Sequence, residues 1–366
     1  MAAPRQYFSE LDLLRFFAAL LVLLNHFAAI ALGDPHLAID KEAAAQVVAF
    51  PFLRPFLGVG AVGVQIFFVL SGFVIAKSAE GLGGRSGARR FITARALRIL
   101  PALWLSTAIG ATALLLSGVD VAQVIERALR SVFLSPIGPY VDGVIWTLVV
   151  EIVFYGCVCL LILQQRGADL TRFARWLGSV SSLYLFVFFD LDWSGAESAV
   201  AHLNGFEYKV LLLRHGVFFA LGILLWSARS HGLHRHFLWL MVFCAAGLLE
   251  IGLLMKAHGV GVLSAWFLFA AALLLIARSG LGVANRRSSH WLRFLGALSY
   301  PLYLNHYTLG MCAAAMTTSL TMPEVMRFCI VFGLVAGVSL AVLRAEQALR
   351  KTLSRAAFLR RLSVRL

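Results

Sequence analysis

Three ionisable side chains stand in the first apolar run, LDLLRFFAALLVLLNHF, at Asp12, Arg15 and His26. Charged groups inside a membrane helix are costly and mark function by default. Arg15 and His26 are eleven residues apart, so at about 100° per residue they differ by about 20° and share a face. Asp12 falls on roughly the same face and can pair with Arg15. The rise between Arg15 and His26 is about 16 Å, so they act at different depths. A histidine there can serve as a general base, because its ordinary pKa lies near neutrality. Glu151, in WTLVVEIVFY, lies at a depth comparable with His26 and is a candidate to orient or charge-stabilise the imidazole. His306, in SYPLYLNHY, follows Pro301, which opens or kinks its helix near the cytoplasmic end; Tyr300 and Tyr303 read as interfacial anchors. A basic stretch, KSAEGLGGRSGARRFITARALRILPA, carries Arg95 and Arg98 at i and i+3 on one helical face. Guanidinium forks in such a cluster suit phosphate oxygens, and lipid headgroups compete for the same chemistry.

These residues must be held by membrane helices. The chain has 366 residues, 60% hydrophobic and 14% charged, against about a quarter charged in soluble domains. Ten apolar segments are marked at roughly 11–31, 57–76, 100–117, 143–164, 173–189, 211–227, 236–255, 259–277, 295–317 and 327–343. With a cytoplasmic N-terminus, the loops on that side hold 23 Lys and Arg and the opposite loops 8, leaving Arg15 within a span. That bias predicts an all-α bundle of about ten transmembrane helices with both termini in the cytoplasm. The first run is long enough to be retained rather than cleaved. No soluble domain stands out, so residues 1–366 read as one domain, with a basic amphipathic tail at 344–366 lying on anionic lipid. The net charge of +14 is read as topology and lipid contact, not nucleic-acid binding. Glu250, near the end of its segment, reads as snorkelling. The five cysteines show no metal-type spacing and read as small buried hydrophobes, so no metal is expected.

Taken together, five motifs resemble the acyltransferase 3 family of bacterial membrane-bound O-acyltransferases: LDLLRFFAALLVLLNHF, VGVQIFFVLSGFVI, RALRILPALW, IWTLVVEIVFY and LSYPLYLNHY, in that order. The resemblance implies an acyl-CoA donor, usually acetyl-CoA, arriving from the cytoplasm. It implies His26 as the catalytic histidine, with Arg15, Asp12 and Glu151 in the catalytic group. Arg95 and Arg98, with Ser71 and Gly72 of the SGF turn, fall on the donor side, and Trp146, Tyr303 and His306 on the substrate pocket. The common form of the first motif has glycines where this chain has Leu13 and Phe16, a departure that reads as subgroup variation within the family. The implied reaction is O-acylation, most often O-acetylation, of a hydroxyl on an exopolysaccharide, O-antigen or other surface glycan, free or lipid-linked, at the bacterial inner membrane. Direct transfer and an acyl-enzyme on His26 both remain open. Two rivals are a small cytoplasmic acceptor and a polytopic transporter. For the transporter, no convincing internal repeat is found.

Overall fold

A computed structural model describes residues 8–28, 50–165, 169–279, 286–318 and 320–363, the side chains of 286–289 and 353–363 excepted. The described residues are helical throughout, joined by turns and short 3-10 segments. In chain order the α-helices are α1 (Ser9–Ala28), α2 (Val62–Ala79), α3 (Gly84–Leu116), α4 (Val121–Val132), α5 (Trp146–Leu163), α6 (Leu170–Trp193), α7 (Glu197–Leu203), α8 (Phe206–Val210), α9 (Gly216–His231), α10 (Phe237–His258), α11 (Leu263–Arg278), α12 (Arg286–Asn305), α13 (Thr308–Met316) and α14 (Glu324–Ser363).

Six of the helical stretches are long and apolar enough to cross a bilayer: Ser9–Ala28, Val59–Ala79, Gly84–Leu116, Gly143–Leu163, Phe237–His258 and Glu324–Thr352. The protein is therefore an integral membrane protein. Large apolar side chains such as Leu183, Phe186, Phe267 and Leu274 stand exposed on the bundle surface, where hydrocarbon would meet them. The other four apolar segments also fall on helices, but each is short, interrupted or charged. The α9 helix has only 16 residues, and α6 carries Arg172 and Arg175 in its first turns. The ninth segment is two helices, α12 and α13, separated by His306 and Tyr307. Pro301 lies inside α12, so the break comes five residues after it, not at it. The basic tail is continuous with the last apolar helix, because α14 runs unbroken for 40 residues. At 1.5 Å per residue that is about 60 Å, twice the hydrocarbon thickness, so part of α14 must leave the bilayer along its own axis.

Packing centres on α2 and α9. From Gly216 to Leu224 every residue of α9 is buried, as expected of a helix that is apolar on all faces. The close approach of α2 to α9 depends on Gly72 and Gly222: a Cβ on Gly72 would lie 2.2 Å from the Phe219 carbonyl oxygen, and one on Gly222 2.1 Å from that of Val69. Gly63 similarly brings α2 against the backbone of α1 at Ala18. Helix α1 also packs along α12. It is thus held between α2 and α12, with Arg15 near its start and His26 near its end.

Glu250 does not snorkel. It is 1% exposed and accepts a 2.8 Å bond from Arg214 Nε, forming a buried ion pair between α10 and the turn before α9.

Candidate active site

The site forms where α1, α2, α3, α5 and the broken α12–α13 meet. Arg15 Nη1 bonds Asp12 Oδ1 at 3.1 Å, the i, i+3 pair anticipated from spacing. Beside it a narrow cavity is lined by Arg15, Ser71, Arg95, Arg98, Glu151 and Tyr303, with Phe67 and Phe68 among its apolar walls. Arg95 presents Nε and Nη1 buried with no hydrogen-bond partner among the described residues. Unmet guanidinium donors facing a cavity are suited to an oxyanion. Glu151 Oε1 accepts from both Ser71 Oγ and Tyr155 Oη, the latter at 2.5 Å. Glu151 therefore sits with the arginines and ties α2 to α5. It does not reach His26, and the expectation that it orients the imidazole is corrected. Gly72 is corrected too: it shapes the α2–α9 contact and does not line the cavity, whereas its neighbour Ser71 does. Tyr300 and Tyr303 are not lipid anchors. Both line this cavity, with Tyr300 Oη donating to the Ile99 carbonyl at 3.1 Å.

The partner of His26 is His306. The two rings stack at 5.0 Å between centroids and 15° between planes, with His26 Nδ1 and His306 Nε2 2.8 Å apart. The direction of this bond follows from the next one. His306 Nδ1 lies 2.8 Å from the Tyr303 carbonyl oxygen, which only accepts, so Nδ1 carries the proton. In a neutral His306 the Nε2 is then the acceptor, and His26 Nδ1–H donates to it. The remaining lone pair of the relay is on His26 Nε2. His306 is fully buried, whereas His26 is half-buried.

Tyrosines flank this pair on two sides. Tyr303, 5.7 Å from the His306 ring, lines the narrow cavity. Thr147 Oγ1 donates to the Val144 carbonyl at 2.9 Å, so the 3.0 Å contact between Tyr303 Oη and Thr147 Oγ1 has the tyrosine as donor. Tyr307 meets His26 edge-on at 4.7 Å and lines a second, wider cavity of about 490 Å³. That cavity also includes Tyr140, Trp146, Asn204, Phe206 and Lys209. Trp146 starts α5 and Glu151 and Tyr155 lie one and a half to two and a half turns further on, so the two cavities are offset along the bundle axis. Near the wider one, burial pushes the Tyr140 phenol up to about 12, so it stays protonated and donates to the Ser135 carbonyl at 2.6 Å. Burial, helped by the nearby Arg214 charge, lowers the Lys209 ammonium from its ordinary value.

The break that places His306 is fastened by Asp142. Its Oδ1 accepts from Val144 N at 3.0 Å, its Oδ2 from Thr308 N at 3.1 Å, and Thr308 Oγ1 donates to the Val141 carbonyl at 2.8 Å. One buried carboxylate thus caps both the turn into α5 and the start of α13. Asn25 Oδ1 accepts from Gly58 N at 2.7 Å and ties the end of α1 to the approach to α2. Asn25, Asp142, Tyr155 and Tyr307 were not singled out from sequence. Asn25 and Tyr307 each adjoin a chosen histidine, in NHF and NHY, and Tyr155 ends the WTLVVEIVFY motif. Asp142 carried no signal beyond preceding a span.

Residues 8–344 match the acyltransferase 3 family, described as an acyltransferase domain. The chain belongs to this family. Among curated proteins it is similar to Nodulation protein 10 of Rhizobium leguminosarum bv. viciae, with 31% identity over 170 residues, covering 40% of this chain. The aligned part spans 42% of that relative's length. No solved structure matches. A histidine pair ending in a lone pair, beside a cavity with unmet arginine donors, has the chemistry to take up a proton and to meet an anion. Among the described residues no group of three or more His, Cys, Asp or Glu could hold a metal ion.

Proposed function

We propose that this protein is an acyl-CoA-dependent O-acyltransferase, O-acetylating a hydroxyl of a surface or exported glycan at the bacterial inner membrane. The observation that carries the reading is the relay from the Tyr303 carbonyl through His306 to His26, set between two cavities. The bundle is read as about ten membrane passes with both termini cytoplasmic, supported by the Lys and Arg bias of 23 to 8. On that orientation the arginine-lined cavity faces the cytoplasm. Arg95 and Arg98 meet the anionic groups of acyl-CoA, and the thioester extends along the Arg15 face of α1. Arg15 is held by Asp12, and Glu151, fixed by Ser71 and Tyr155, balances the arginine charge.

The acceptor comes from the opposite end. His26 Nε2 removes the proton of its hydroxyl as the oxygen attacks the thioester carbonyl carbon. The new carbon–oxygen bond forms, the carbon–sulfur bond breaks, and the departing thiolate takes the proton from the His26 imidazolium. His306 stabilises that imidazolium through its Nε2. A general base of this kind contributes about 10²–10⁴-fold in rate. Tyr303, beside His306, lines one cavity and Tyr307, against His26, lines the other, so at least one ring must shift for the substrates to meet at His26.

The test is mass spectrometry of surface glycans from cells expressing His26→Ala in a deletion strain. The expected result is loss of the acyl ester at wild-type protein level, with release of free CoA from acetyl-CoA by membranes falling in parallel. Unchanged glycan acylation would sink the assignment of His26.

A further inference from the structure

The wider cavity holds a cation without a carboxylate. Among the described residues no ion pair engages Lys209, and its Nζ lies 5.8 Å from the centroid of the Trp146 ring. The nearby acid, Glu250, is already taken by Arg214. Arg214 Nη1 also bonds Asn204 Oδ1, which leaves the Asn204 NH₂ donors for the cavity. Around them stand the rings of Tyr140, Trp146, Phe206 and Tyr307. The Tyr140 hydroxyl is spent on Ser135, so that residue offers its ring rather than a polar tip.

Each group selects one feature of a ligand. Aromatic faces carry negative charge density and attract the polarised C–H groups of a pyranose ring. An amide NH₂ pair suits hydroxyl oxygens. A half-buried ammonium without a counter-ion suits an oxyanion, because a charge removed from water needs an opposite charge or several hydrogen bonds. Tyr307 belongs both to this cavity and to the wall of His26, so a ligand here has its hydroxyls one ring away from the base.

We infer that the cavity lined by Trp146, Asn204, Phe206, Lys209 and Tyr307 is the acceptor site, and that it selects a sugar bearing an anionic group. The anion is either a uronate carboxylate or the phosphate at the reducing end of a carrier-linked sugar. Both share a pyranose ring beside an oxyanion. This rests on the acyl-transfer reading for its purpose, not for its binding chemistry.

The experiment is saturation-transfer NMR titration of the full chain in phosphatidylcholine nanodiscs with glucose, glucuronate, glucose 1-phosphate and inorganic phosphate. At least one anionic sugar binds ten-fold or more tightly than glucose, and inorganic phosphate binds no more tightly than glucose. Whichever of the two anionic sugars is favoured identifies the source of the anion. In Lys209→Met that preference disappears while glucose binding is unchanged, and Asn204→Ala weakens all three sugars together. The inference is overturned by equal binding of charged and neutral sugars, by a preference that survives Lys209→Met, or by phosphate alone matching glucose 1-phosphate. The glycan assay on His26→Ala reads acyl transfer separately. Retained acylation in His26→Ala beside an intact sugar preference in the wild-type chain removes His26 as the base and leaves the site; loss of the acyl ester in His26→Ala beside a wild-type chain that binds charged and neutral sugars equally does the reverse.

Discussion

At the scale of single residues, the site turns on which nitrogen of His26 is free. The choice is made by a backbone carbonyl two bonds away, that of Tyr303, acting through His306. His306→Leu removes the acceptor for His26 Nδ1–H, so the ring can rotate or adopt the other tautomer. We expect kcat for glycan acylation to fall about 10²–10³-fold, with little change in the KM for acetyl-CoA, because a misplaced base is lost only at the reacting step. His306→Gln retains an acceptor and restores part of the rate. A loss in His306→Gln as deep as in His306→Leu, or a matching rise in KM, would count against the relay. His26 itself was marked in the sequence, by its place on the Arg15 face and by the family resemblance that gives that face a role. Its partner was not. Glu151 was a reasonable choice by depth, but depth along two helices says nothing about which faces meet. In three dimensions Glu151 turns to Ser71 and Tyr155, and the imidazole 280 residues away takes its place.

At the scale of elements, the distinction lies between residues that line a site and residues that let helices approach. Ser71 and Gly72 are adjacent in one motif, yet Ser71 faces the cavity and Gly72 faces α9. A Cβ at Gly72 would sit 2.2 Å from a carbonyl oxygen, which a backbone atom cannot yield cheaply. Gly72→Ala is expected to destabilise the bundle by about 1–3 kcal/mol through overpacking. Thermal unfolding in detergent measures this, while acetyl-CoA affinity of the folded fraction stays at the wild-type value. A selective loss of acetyl-CoA affinity at unchanged stability would return Gly72 to the donor site. The Arg214–Glu250 pair is a second element-level joint, between α10 and the turn that leads into α9. Glu250→Leu alone leaves a buried guanidinium unmatched, a loss of about 3–5 kcal/mol, whereas pairing it with Arg214→Leu recovers most of the stability. A double variant whose loss equals the sum of the two single losses would show that the pair carries no coupling. The helical segments themselves were read well from apolar runs, because long runs have few alternatives in a membrane. The break at His306–Tyr307 was not, since the visible marker, Pro301, is accommodated within α12. What ends that helix is a distant carboxylate, Asp142, capping the next one.

At the scale of the whole molecule, the two cavities demand an orientation. An acyl-CoA donor is polyanionic and made in the cytoplasm, so the arginine-lined cavity must open there if acyl transfer is the function. The charge bias of the loops points the same way, and it persists at 21 to 8 when Arg95 and Arg98 are left out of the 23. Two exposed serines report on the two ends. Ser86 lies at the start of α3, before Arg95 and Arg98, and Ser198 lies on α7, near the Lys209 cavity. In a background with the five native cysteines replaced, Ser198→Cys is expected to react with a membrane-impermeant maleimide on intact cells. Ser86→Cys reacts only after the membrane is permeabilised. The reverse pattern would put Arg95 and Arg98 outside, away from cytoplasmic acyl-CoA, and acyl transfer with that donor would no longer fit the bundle. Labelling of both on intact cells would mean an odd number of membrane crossings fewer or more between α3 and α7 than the ten-segment reading contains. The expected pattern leaves a single path: donor from the arginine end, acceptor from the lysine end, and the His26–His306 pair with its two tyrosines between them.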